Sequence, residues 1–213
     1  MYPVSFEADY DPEQSRLKTL FRYFIAIPWL LLSYGYGIVA GLFALIAWFA
    51  LLFTGRYPQG LYDFVTGYIR YSAQMGGFVY LMTDQLPPFG LNEEDYPIRV
   101  NFSDPKAKYS RLKVFFRFII GIPVMLMALV HFVILAVCAT LGWFAALFTG
   151  KMPEGLYNPI RNANAYLTRT NAYFNYVTED WPPFGFDEEA SRTAIDQTQT
   201  PALETQPAAT REG

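Results

Sequence analysis

Tyr23 to Gly55, YFIAIPWLLLSYGYGIVAGLFALIAWFALLFTG, contains no Asp, Glu, Lys, Arg or His. At roughly 33 residues it exceeds the apolar length that reaches across a bilayer. The stretch returns as Phe118 to Gly150, FIIGIPVMLMALVHFVILAVCATLGWFAALFTG, interrupted only by His131. The flanks return with it at a constant offset of 95. Ser15-Arg16-Leu17-Lys18 becomes Ser110-Arg111-Leu112-Lys113, Phe53-Thr54-Gly55 becomes Phe148-Thr149-Gly150, and Pro87-Pro88-Phe89-Gly90 becomes Pro182-Pro183-Phe184-Gly185. A repeat of this kind sets the architecture before any other feature does. The expectation is a mainly α-helical integral membrane protein built by tandem duplication, with copies at 1–94 and 95–189. The remaining residues, 190–213, are polar and free of aromatics, the composition of a disordered tail.

Composition narrows the function classes. Hydrophobic residues make up 53% of the chain and charged ones only 16%, against about 25% in ordinary globular proteins. A net charge of −3 argues against a nucleic-acid partner, which needs a basic surface. Cys138 is the sole cysteine, so no internal disulfide or thiolate cluster forms, and its place inside the second run reads as a small core or lipid-facing residue. The opening MYPVSFEADYDPE is acidic where a secretory leader is basic, so no cleavable leader is expected.

A helix of about 33 residues would be roughly 50 Å long, against a hydrocarbon core near 30 Å. Two solutions fit. In one, Pro28, and Pro123 in the second copy, breaks the helix and a single tilted span follows. In the other, each run is a hairpin, turning in the first copy at Tyr34-Gly35-Tyr36-Gly37. The basic residues favour the hairpin. Arg16, Lys18 and Arg22 precede the first run, Arg111, Lys113 and Arg117 precede the second, and Arg56 and Lys151 follow them. These read as membrane-interface anchors, the deepest two, Arg22 and Arg117, snorkelling back to the headgroups. A single crossing per copy would put matching basic flanks on opposite sides, which the positive-inside rule disfavours. An even number of crossings returns every flank to one face, expected to be cytoplasmic.

Each copy opens with period-two alternation, Val4, Phe6 and Ala8 in the first and Ile98, Val100 and Phe102 in the second. Two short strands, 3–9 and 97–103, are therefore expected to pair across the repeats. After each run an amphipathic helix rich in tyrosine is expected, at the lipid interface or packed on the membrane segments. Phe-Thr-Gly-Arg-Tyr-Pro lacks the Gly-Lys-Ser/Thr ending of a phosphate loop and reads as a helix stop.

In order, Phe-Arg-x-x-x-x-Ile-Pro, the apolar run, Phe-Thr-Gly-Arg-Tyr-Pro-x-Gly-Leu-Tyr and Leu-x-Thr-Asp-x-x-Pro-Pro-Phe resemble the bacterial membrane-protein family known as domain of unknown function 4389. The match runs over Phe21–Pro28, Phe53–Tyr62 and Leu81–Phe89. The second copy departs at Lys151-Met152, Tyr176 and Glu179. The resemblance implies a duplicated module of the bacterial cytoplasmic membrane and transfers no functional residue.

Little in the chain suggests catalysis. His131 is the only histidine and falls opposite Tyr36, at the expected turn, where an interfacial polar residue is ordinary. Neither run holds an Asp or Glu to relay protons from it. No enzyme activity, metal or cofactor is expected. The expected role is a scaffold or accessory subunit whose partners are membrane lipid and either further copies of itself or another membrane protein. A small oligomeric carrier or channel subunit is the alternative.

Overall fold

Each copy contributes one strand, a long apolar run and a second helix. In the first these are β1 (Val4–Ala8), α1 (Arg16–Thr54) and α2 (Gln59–Val79). In the second they are β2 (Ile98–Phe102), two short segments α3 (Arg111–Phe115) and α4 (Arg117–Ile120), then α5 (Ile122–Thr149) and α6 (Glu154–Phe174). The computed structural model describes residues 2–88 and 96–183. The expected tail at 190–213 and the acidic exits after each proline pair lie outside the described residues.

No hairpin forms in either run. α1 continues through Tyr34–Gly37 as helix for 39 residues, about 58 Å at 1.5 Å per residue. Gly37 serves packing rather than turning, since a Cβ there would lie 3.0 Å from the Tyr68 hydroxyl. Pro28 also fails to break α1. Its fixed φ is compatible with helix, so the cost is one backbone hydrogen bond, while its neighbours Ala26 and Trp29 are held against Met75 and Phe78. In the second copy the helix does break, but ahead of Pro123, at Phe116 and Gly121. Pro123 then sits in the first turn of α5, where its missing N–H is no loss. Gly121 is required there, because a Cβ would come within 2.8 Å of the Phe174 ring.

Both long helices stop at the repeated Phe-Thr-Gly. Gly55 (φ 71°) and Gly150 (φ 75°) adopt the left-handed conformation and return their N–H groups to Leu51 and Ala146. The threonine hydroxyls donate to Ala50 O and Ala145 O, each at 2.7 Å, and accept from the N–H of Arg56 and Lys151. The motif is thus a helix terminator written twice.

The elements stack in three layers. β1 and β2 pair antiparallel, Val4 opposite Phe102 and Ala8 opposite Ile98. Their inner side chains, Val4, Phe6, Ile98 and Val100, are buried, while Glu7 and Asn101 on the other face are exposed. Beneath the ribbon lie α2 and α6, packed on each other, and beneath them α1 and α5. Tyr62, Tyr71, Tyr157, Tyr166 and Tyr173 are therefore buried in the middle layer. The amphipathic helices pack on the long apolar helices, one of the two placements expected for them.

The copies interleave. β1, from the first, packs on α6 of the second, and β2 packs on α2. The Gln14 N–H donates to Gly150 O at 2.9 Å, and its counterpart at Tyr109 donates to Gly55 O at 2.8 Å. α1 thus begins where α5 ends, and the apolar runs lie antiparallel. Small residues at Ala44 and Ala47, matched by Ala139 and Gly142, keep their inward faces close to the neighbouring helices.

Candidate functional site

Two features stand out from this frame, a pair of buried arginines and a large apolar surface. Arg22 and Arg117 were expected at the headgroups, but they are 0% and 1% exposed, enclosed by protein. The correction has a geometric cause. Both point to the side of the helix that α2 or α6 covers, toward carbonyls that need a donor.

Arg22 Nη1 donates to Phe78 O and, at 2.9 Å, to Thr83 O. Its Nη2 reaches Gln14 Oε1 at 2.9 Å and forms an ion pair with Asp84. Phe78 lies in the last turn of α2, where carbonyls lack intrahelical partners and carry partial negative charge, so a cation fits there. Arg117 repeats the core of this arrangement, with Nη1 donating to Tyr173 O and, at 2.6 Å, to Thr178 O. Its guanidinium lies 4.4 Å from the Tyr173 ring centroid and 5.0 Å from that of Tyr176. Its Nε and Nη2 have no hydrogen-bond partner among the described residues.

Asp84, Gln14 and the turn after α2 were not singled out from sequence. Leu81 (φ 63°) and its counterpart Tyr176 (φ 64°) hold left-handed backbone without being glycine. That conformation costs about 1–2 kcal/mol. It closes the helix with a six-residue return, Met82 N–H to Gly77 O and Val177 N–H to Ala172 O, and so swings Thr83 O and Thr178 O toward the arginines. Asp84 also accepts the Ser15 N–H at 2.6 Å and Glu179 the Ser110 N–H at 2.7 Å, tying each exit to the start of its long run.

The remaining basic positions are exposed at the ends of the runs. Arg16 Nη2 donates to Thr149 O at 3.3 Å and Arg111 Nη2 to Phe53 O at 2.9 Å, each capping the other copy's long helix. Lys18 Nζ reaches Asp84 O at 3.4 Å. Lys113 borders a small cavity with Arg117, Glu179 and Trp181. Arg56 and Lys151 follow the glycine stops.

His131 does not sit at a turn or a surface. It is 3% exposed, stacked on Tyr166 with centroids 4.1 Å apart, and its Nδ1 lies 2.9 Å from Met127 O. A cavity of about 280 Å³ lies between α1, α2 and α6, bordered by Ser33, Ser72, Asn164 and Asn171. On the ribbon, Arg99 holds Asp9 through two contacts of 2.8 Å, with Glu7 at 3.5 Å. The hydrogen bonds that Arg99 donates to Asp9, with the charge of Asp9 and the hydrogen bond and charge of Glu7, move the guanidinium pKa upward against a partial desolvation. Burial raises the Tyr96 phenol, which donates to Gln85 O at 3.0 Å, above its usual range.

The apolar surface belongs to α1 and α5, the two described helices long and apolar enough to cross a membrane. Each buries only one stripe, Ala26, Ala40, Ala44, Ala47 and Leu51 in α1, and leaves large side chains exposed along its length, Phe24 at 72% and Phe53 at 76%.

No curated protein and no solved structure matches the chain. A family profile described as a domain of unknown function, DUF4389, matches residues 16–90 and 111–185. Each match begins after the strand and takes in the long apolar run, the glycine stop and the exit that carries Asp84 or Glu179. The chain therefore belongs to the DUF4389 family, as two tandem copies of its domain.

Proposed function

We propose that this protein is a non-catalytic scaffold or accessory subunit of the bacterial cytoplasmic membrane, working through contacts with lipid and with other membrane proteins. The observation that carries this reading is the apolar surface of α1 and, in the second copy, of α3, α4 and α5, exposed from Leu17 to Phe53 and from Leu112 to Phe148. Unbroken apolar exposure of this extent marks a membrane or protein interface. The polar side chains within the fold hold its own backbone together. Arg22 and Arg117 bind carbonyls of α2 and α6, and Arg70 and Gln74 bind carbonyls of β2. In cells the protein should crosslink to itself or to another membrane protein, and purified protein in liposomes should give no selective flux.

A carrier or channel subunit is the second reading, and it draws on the hydroxyl- and amide-bordered cavity beside Asn164. Selective, saturable flux from the purified protein without any crosslinked partner would put it first.

A further inference from the structure

We infer that α1 and α5 lie flat in one leaflet and cross nothing, with the ribbon in water above them. This rests on the membrane reading above and adds its geometry. The occupant of the apolar face is a single leaflet of an anionic bilayer.

The argument begins with the direction of the layers. Along α2, Phe78 meets Arg22, Tyr71 meets Trp29 and Phe64 meets Phe43, so α2 runs alongside α1 in the opposite sense. Along the ribbon, Ile98 O meets Gln74, Val100 O meets Arg70 and Ser103 O meets Tyr62. The ribbon therefore lies parallel to the long helices and over their middle. If α1 stood upright in a bilayer, Glu7, Arg99 and Asn101 would be held at mid-depth on an exposed face. Arg70 and Arg169, which bind the outward carbonyls Val100 O and Val4 O of the ribbon, would stand there as well. Charges at that depth are costly.

Laid flat, the same molecule has no such conflict. The ribbon's polar face and its Arg99–Asp9 pair stand in water, α2 and α6 form the level between, and α1 and α5 enter the acyl region. A helix of about 58 Å then has no thickness of about 30 Å to match. Arg16 and Lys18 at one end of α1, Arg56 at the other, and Arg111, Lys113 and Lys151 at the ends of the second run all come to one headgroup level. That complements anionic lipid. The requirement that matching basic flanks share one face, which pointed to two crossings per copy, is met by none.

The test replaces Cys138 by Ala and introduces single cysteines by Glu13→Cys, Gln59→Cys and Asn101→Cys, all exposed positions. Glu13 and Gln59 flank opposite ends of α1, and Asn101 is on the outer face of the ribbon. Sealed vesicles of known orientation are treated with a membrane-impermeant maleimide. All three sites should label from one side and none from the other. Labelling of Glu13→Cys and Gln59→Cys from opposite sides would establish a crossing and overturn the proposal. Protection of Asn101→Cys from both sides until detergent is added would overturn it too, since the ribbon would then be covered by lipid or a second copy. Alkaline carbonate extraction is run in parallel. Release of the protein by carbonate would count against membrane embedding itself, separately from its orientation.

Discussion

Arg22 and Arg117 occupy matching places in the two copies, and their surroundings differ. Each gathers one carbonyl from the last turn of a helix and one from the residues just after it. In the first copy a carboxylate and an amide complete the set, Asp84 and Gln14. In the second, Tyr109 replaces Gln14, Glu179 replaces Asp84, and a second ring, Tyr176, joins that of Tyr173 while Nη2 has no hydrogen-bond partner among the described residues. What survives the divergence is the carbonyl pair and one ring against the guanidinium, Phe78 in the first copy and Tyr173 in the second. The difference teaches that the arginine works first as a cap on the second helix, and that the ion pair is an addition of one copy.

Removing the cap should have the largest effect. Arg22→Met removes the cation paired with Asp84 and the side-chain donor shared by Phe78 O and Thr83 O, and is expected to cost about 3–5 kcal/mol of stability, read from thermal unfolding in lipid nanodiscs. Arg117→Met, which strands carbonyls but no directly bonded carboxylate, should cost about 1–3 kcal/mol. Equal losses at the two sites would break the distinction drawn here.

Arg22→Lys comes next. A charge that only reached for headgroups would accept lysine. An ammonium cannot replace the planar fork that serves four acceptors, so a loss of about 2 kcal/mol is expected. An unchanged unfolding temperature would restore the snorkelling interpretation.

The prolines offer a comparison in the opposite direction. Pro28→Ala restores a hydrogen bond within a continuous helix and should stabilise by up to about 3 kcal/mol. Pro123→Ala, in a first turn, should change little. A modest gain is expected from rebuilding the first clamp in the second copy. Tyr109→Gln with Glu179→Asp would supply Nη2 with partners and gain about 1 kcal/mol in that bond. Tyr109 is buried and its hydroxyl donates to Val177 O at 3.2 Å, so the double variant is compared with Tyr109→Gln alone.

Much of the fold is legible in the sequence. The offset of 95, the alternation at Val4–Ala8 and Ile98–Phe102, and the glycine stops each express a local rule, and each appears where the residues put it. The hairpin was misread because Gly35 and Gly37 look the same whether glycine serves a turn or makes room for Tyr68. Val130 and Phe132 at the matching positions were the available warning, since neither suits a turn. The clamps were hidden for another reason. Asp84 lies far from Arg22 in sequence, and only the recurrence of an acid at Glu179, beside the recurrence of arginine, hinted that the two belong together.

The exchange of strands and caps between the copies has an evolutionary consequence. A chain holding one copy would begin with a strand that has no partner, and would end its long helix on carbonyls that no arginine from elsewhere reaches. Two such chains related by a twofold axis would supply each other with both. The duplication is thus best understood as a linker drawn between the subunits of a homodimer. Family members with one domain should then be dimers, and should come apart and lose their fold in the same step.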